Sequence, residues 1–201
     1  MVNVVTLDRP GLARLIAIAV VLTAPSLTAA QEQTGDPPAR VGRLARIAGT
    51  VSFHTADQDQ WAQATLNYPI TSGSSFWTEP KSNAALEVGA NRLYLDGTTE
   101  FDLGTLNEES LVASLPQGAL YLSLATASSD EQYEVDTPRG TVNLSEPGGY
   151  EIQAGDADNP TTITVVKGTA EFVANNVHLT VGPRQSATIW GSDQLYNWHA
   201  T

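Results

Sequence analysis

Beyond residue 40, nearly every apolar stretch of this chain alternates with period two, and a glycine or proline closes each one. A period of two is that of a half-buried strand, because successive side chains point to opposite faces. In GALYLSLA, Leu120, Leu122 and Leu124 share one face while Tyr121 and Ser123 take the other. In TTITVVKG, Ile163 and Val165 oppose Thr162 and Thr164, and in NNVHLTVG, Val177, Leu179 and Val181 oppose His178 and Thr180. Turn residues stand at Gly49, Gly89, Gly97, Gly118, Pro147-Gly148-Gly149, Gly168 and Gly182-Pro183. The pattern predicts an all-β, multi-stranded domain of about a dozen short strands, with no helix before residue 191.

A weak internal repeat adds detail. NAALEVGANRLYL followed by SLVASLPQGALYLSL is similar to RGTVNLSEPGGYEI followed by TTITVVKGTAEFVAN, with Gly118 and Gly168 in matching places. Two related β units, each ending in a strand-Gly-strand hairpin, are the expected consequence, arranged as a sandwich or a solenoid. The tail GSDQLYNWHAT reads differently. Gly191 ends the last strand, Ser192 is a favoured N-cap, and Leu195 and Trp198 lie three apart, so residues 191–201 are expected to form a short C-terminal helix or tail docked on one end of the core.

The first 30 residues read as an export signal and fall outside the fold. Arg9 and Arg14 provide the positive start, Leu15 to Ala24 an apolar run, and Ser26-Leu27-Thr28-Ala29-Ala30 the small residues of a cleavage site after Ala30. The run is too short to span a bilayer, which takes roughly 20 apolar residues. Residues 31–39, with Pro37-Pro38, have the composition of a flexible linker, and the β domain is expected over 40–190. A periplasmic location follows, or a secreted one, with no stable membrane insertion once the signal is gone.

Charge narrows the partners. The signal holds Arg9, Arg14 and Asp8, so of 10 basic and 22 acidic residues the mature chain keeps 8 and 21, a net charge of −13. Such a surface repels phosphate backbones and anionic lipid, which excludes nucleic acid and membrane surfaces as partners. There is no cysteine, hence neither a disulfide nor a lipid-bearing lipobox.

Chemistry-bearing residues are scarce. His54, His178 and His199 are the only histidines and sit on strands or at the end of the chain, so neither a hydrolase triad nor a transition-metal site is expected. Gly155-Asp156-Ala157-Asp158-Asn159 spaces its acids as calcium loops do, yet lacks the downstream glutamate, and reads as a solvated hairpin loop. The pairs Glu108-Glu109 and Asp130-Glu131 lie in polar turns. No catalytic residue and no cofactor are predicted. Aromatic residues remain. Trp61, Tyr68, Trp77 and Trp198 form the candidate binding surface, although Trp61 also reads as a lid over one end of the core and Asn67-Tyr68-Pro69 as a corner. Phe76 and Trp77, as strand neighbours, face opposite ways.

The order IAGTVSF, W-x-x-A-T-L-N-Y-P, AALEVG, LYLDG, LPQGALYLSL, YEVDTPRGTVNL, GGYEI and TVVKGTAEF resembles the FecR-like periplasmic domain of bacteria, in its soluble, signal-peptide-bearing branch. The likeness runs from Val41 to Ile189, and its most specific pieces are Glu134-Val135-Asp136-Thr137-Pro138 and the units at Gly118 and Gly168. It implies an all-β fold. The best-known member passes a transport signal across the inner membrane to a sigma factor, through a transmembrane helix that has no counterpart here beyond the cleavable signal. The joint expectation is a non-enzymatic exported module that binds another envelope component, a protein before a glycan, with carbohydrate or peptidoglycan binding on the aromatics as the alternative.

Overall fold

The computed structural model describes residues 40–127, 130–175, 177–192 and 195–201. They form eighteen strands. In chain order these are β1 (Gly42–Ala48), β2 (Val51–Thr55), β3 (Gln58–Gln63), β4 (Pro69–Ile70), β5 (Ser74–Thr78), β6 (Asn83–Val88), β7 (Asn91–Leu95), β8 (Glu100–Leu106) and β9 (Ser110–Gln117). The second half continues with β10 (Ala119–Leu124), β11 (Gln132–Thr137), β12 (Gly140–Leu144), β13 (Gly148–Gln153), β14 (Thr161–Lys167), β15 (Ala170–Ala174), β16 (Val177–Val181), β17 (Gln185–Ser192) and β18 (Leu195–Ala200).

The strands make a sandwich of two nine-stranded sheets. The first runs β18-β17-β14-β13-β10-β7-β6-β1-β4 and the second β16-β15-β12-β11-β9-β8-β5-β2-β3. Both fill almost in chain order, because the chain repeatedly lays one or two strands on one sheet and crosses to the other. All neighbours pair antiparallel except β9 and β11, which are parallel because β10 leaves for the first sheet between them.

Alternation explains why the sheets face each other. Burial along β10 and β16 switches at every residue, and the inward residues of both sheets join one core. Leu86, Leu93, Leu120, Leu122, Tyr150, Ile152 and Ile163 come from the first sheet, and Phe76, Phe101, Leu103, Val135, Val142 and Phe172 from the second. Burying each such side chain contributes about 1.5–3 kcal/mol, enough in sum to dispense with disulfides. A polar tie crosses the layer as well. Asn91 of β7 donates from Nδ2 to the Tyr133 hydroxyl of β11 at 2.8 Å, while its Oδ1 accepts from the backbone of Ala125 and Thr126.

Two expectations about the chain path are corrected. The strand-Gly-strand units are not hairpins: Gly118 carries the chain from β9 in the second sheet to β10 in the first, and Gly168 from β14 in the first to β15 in the second. Each glycine has positive φ, +90° and +92°. A Cβ on Gly118 would meet Thr99 Cα at 2.5 Å, and one on Gly168 would strike the Tyr150 hydroxyl. The matching glycines thus mark crossovers in opposite directions. Nor do the paired segments match: NAALEVGANRLYL is a hairpin within one sheet, whereas RGTVNLSEPGGYEI spans both.

The second correction is the tail. Residues 195–200 form strand β18 and not a helix, and Gly191 lies inside β17, paired with Tyr196. Nucleating one isolated helical turn is unfavourable, while β17 offers a ready ladder to a segment rich in strand-favouring tyrosine and tryptophan.

Candidate functional site

Strand alternation sorts the four candidate aromatics into three places. On β2 and β5, Phe53 and Phe76 point inward with rings 6.5 Å apart, which turns Ser52, His54 and Trp77 to the solvent face of the second sheet. Register then lines up Ser52, Trp77 and Glu100 across β2, β5 and β8. Trp61 joins them from β3, and its ring meets the His54 ring edge-on at 4.6 Å and 89°.

Trp61 and Trp77 therefore share one hollow of about 390 Å³, with Ser52, Glu79 and Glu100 as its other walls. Trp77 Nε1 donates to Glu79 Oε1 at 3.1 Å, which fixes that carboxylate against the indole edge. Trp61 is 46% exposed and covers no core end, so the lid reading is corrected: β3, on which it lies, is the last strand of the second sheet among the described residues. An aromatic hollow with carboxylates at its rim attracts a cation, since indole faces and carboxylates both favour positive charge.

Tyr68 stands apart. Its ring packs on Phe53 at 4.2 Å on the core side of β2, and Leu44 N–H donates to its carbonyl at the corner before β4. Trp198 lies at the opposite end of the sandwich, on the free edge strand β18. It pairs with the fully buried Ile189 and so occupies the core-side face, yet with no strand beyond it among the described residues remains 48% exposed. The expected docking of Trp198 by a helix is thus replaced by a half-covered place at a sheet edge.

A further cluster escaped the sequence reading. Tyr94 and Tyr121, cross-strand neighbours on β7 and β10, put their rings 6.0 Å apart on the solvent face of the first sheet. The alternation of LYL and LYLSL turns both tyrosines outward, but only the pairing of β7 with β10 makes them adjacent.

Two crystal structures share this fold. Both are of a "putative anti-sigma factor" from Parabacteroides distasonis ATCC 8503, with TM-scores of 0.55 and 0.54 at 9% and 10% identity. Each match covers 62% of this chain and 58% of the other, so the chain corresponds to little more than half of that protein's length. At such identity the likeness is one of architecture. No protein-family model and no curated protein matches the chain.

Two further titratable positions lie in local structure. Asp156 Oδ1 accepts from the backbone of Asp158 and Asn159, both at 2.8 Å, and the amide of Asn159 holds its carboxyl below the usual aspartate range. That loop is a hydrogen-bonded turn closed on itself. His178 Nε2 stands 4.0 Å from Glu171 on the exposed face of β16 and β15. Among the described residues, no three histidine, aspartate or glutamate side chains converge on a common point suited to a metal ion.

Proposed function

We propose that this chain is an exported, non-enzymatic module of the cell envelope that binds a protein partner in signalling or assembly, and that the partner docks at the Trp61–Trp77 hollow. The hollow itself carries the reading. It joins two half-open tryptophans, the residue type most enriched among interface hot spots, to two carboxylates beside a free sheet edge. The fold likeness to an anti-sigma factor supports a regulatory role of the kind the FecR-like resemblance implies. An extended partner segment adding to β3 would form main-chain hydrogen bonds with that edge and place alternate side chains over the hollow. Basic side chains fit there, against Glu79 and Glu100 and the acidic chain as a whole. Export through residues 1–30 into the periplasm belongs to the same proposal.

The test is a photo-crosslinking amino acid at position 61 in cells, paired with titration of a synthetic peptide of alternating lysine and valine. We expect one specific crosslinked protein and peptide binding that weakens about 30-fold in Trp61→Ala/Trp77→Ala, the loss of a hot spot of about 2 kcal/mol. Absence of a specific protein adduct, together with peptide binding that ignores both substitutions, would sink the reading.

A further inference from the structure

The solvent face of the first sheet carries one transverse row of side chains in which Arg46, Ala85, Tyr94, Tyr121 and Glu151 are successive register partners across β1, β6, β7, β10 and β13. Inward neighbours such as Leu86, Leu93, Leu122 and Ile152 are buried, so the row stands on a floor anchored in the core. Ala85 is its one short side chain and is buried between Arg46 and Tyr94. The row's other four members, Arg46, Tyr94, Tyr121 and Glu151, line a hollow of about 390 Å³ together with Asn83 and Asp96.

Three features make this more than a cross-strand aromatic pair. A Cβ at Gly149 would lie 2.7 Å from the Tyr121 hydroxyl, so the missing side chain on β13 is what lets the Tyr121 ring lie down over the sheet. The Arg46 guanidinium and the Asn83 amide make no hydrogen bond or ion pair among the described residues, although Arg43 and Arg92 of the same face both pair with Glu87. The two ends of the row carry opposite charge, Arg46 on β1 and Glu151 on β13. With Asp96 added, the lining holds one cation against two carboxylates, and it offers two ring faces and several planar polar groups able to bind pairs of hydroxyls.

The geometry also decides between chain-like ligands. β6, β7, β10 and β13 are each paired on both sides, so beneath Tyr94 and Tyr121 no main-chain donor or acceptor is left for a peptide strand, although β4 covers β1 only at Gly42 and Arg43. From β1 to β13 there are four strand spacings of about 4.8 Å, roughly 19 Å, a span for several sugar rings and too long for one. We propose that this row binds a neutral oligosaccharide, with pyranose rings stacked on Tyr94 and Tyr121 and hydroxyls hydrogen-bonded to Arg46, Asn83 and Glu151. The site is separate from the Trp61–Trp77 hollow, which lies on the other sheet.

Isothermal titration with chitotetraose and with cellotetraose tests it. We expect at least one of the two to bind, about tenfold more weakly in Tyr94→Ala/Tyr121→Ala and nearly unchanged in Tyr94→Phe/Tyr121→Phe, because stacking needs the ring and not the hydroxyl. Trp61→Ala/Trp77→Ala should bind as the parent does, so failure here and failure of the protein-docking reading remain distinct. Should the double alanine variant unfold, Arg46→Ala/Asn83→Ala, confined to one exposed and one half-buried side chain at one end, must weaken binding in its place. No binding of either sugar at millimolar concentration overturns the proposal, as does binding indifferent to the tyrosine and Arg46 substitutions.

Discussion

Arg139 Nη2 donates to the backbone carbonyl of Asp156 at 2.5 Å, and so ties the β11–β12 turn of the second sheet to the β13–β14 loop of the first. Arg139 is 7% exposed, its Nη1 reaches the Thr161 hydroxyl at 3.4 Å, and its Nε is buried without a partner among the described residues. Hydrogen bonds from a charged group contribute more than neutral ones, and two of them are lost together with the buried packing of the Arg139 side chain. Arg139→Ala should therefore destabilise the fold by about 2 kcal/mol, lowering Tm by about 4–8 °C in thermal unfolding. Arg139→Lys should restore less than half of that, since an ammonium cannot span both acceptors. A Tm unchanged in both variants would show that the tie does not hold the sheets.

Alkali should weaken the protein. Tyr133 and Tyr150 have hydroxyls pushed above the usual tyrosine value of 10.0 by burial. A group with a raised folded pKa gives stability that is complete below its unfolded pKa and lost as pH rises through the folded one. Urea midpoints should thus hold steady up to about pH 10 and fall above it. Tyr133→Phe/Tyr150→Phe should flatten that decline, and an equally steep decline in the variant would assign it elsewhere.

Trp198 and Leu122 should respond very differently to truncation. Leu122 is fully buried at the middle of the first sheet, and Leu122→Ala is expected to cost about 2–5 kcal/mol. Trp198→Ala removes a side chain that is half exposed at the β18 edge, for which about 1 kcal/mol is expected. Equal losses of Tm in the two variants would mean that the sandwich end is closed more tightly than its edge position allows.

Export should leave a defined end. Mass spectrometry of protein recovered from the producing cell is expected to find Gln31 as the first residue and the protein in the periplasmic fraction. Met1 retained in a membrane pellet would reject both the cleavage site and the released state.

The all-β class, the inward leucines of β10 and the outward Tyr121 were legible in the sequence, because a period of two is imposed by each strand's own backbone geometry. Opposite orientation of Phe76 and Trp77 followed from the same rule. The tail was not legible: a favourable N-cap at Ser192 is a local signal, and it yields to β17, a ladder whose presence depends on the whole first sheet. The repeat misled for a related reason. Gly118 and Gly168 share a conformation, but the direction of each crossover is set by which sheet already offers an edge.

Site composition divides in the same way. Sequence alone determined that Phe76 and Trp77 face opposite ways and that Tyr121 faces away from Leu120, Leu122 and Leu124, since facing depends on parity along one strand. Only tertiary structure decided that Trp61 meets Trp77 while Tyr68 turns to Phe53, and that Tyr94 meets Tyr121 between Arg46 and Glu151. Those meetings depend on strand order and register across the sheets. Both are fixed by the collective burial of one shared core, which no single segment encodes.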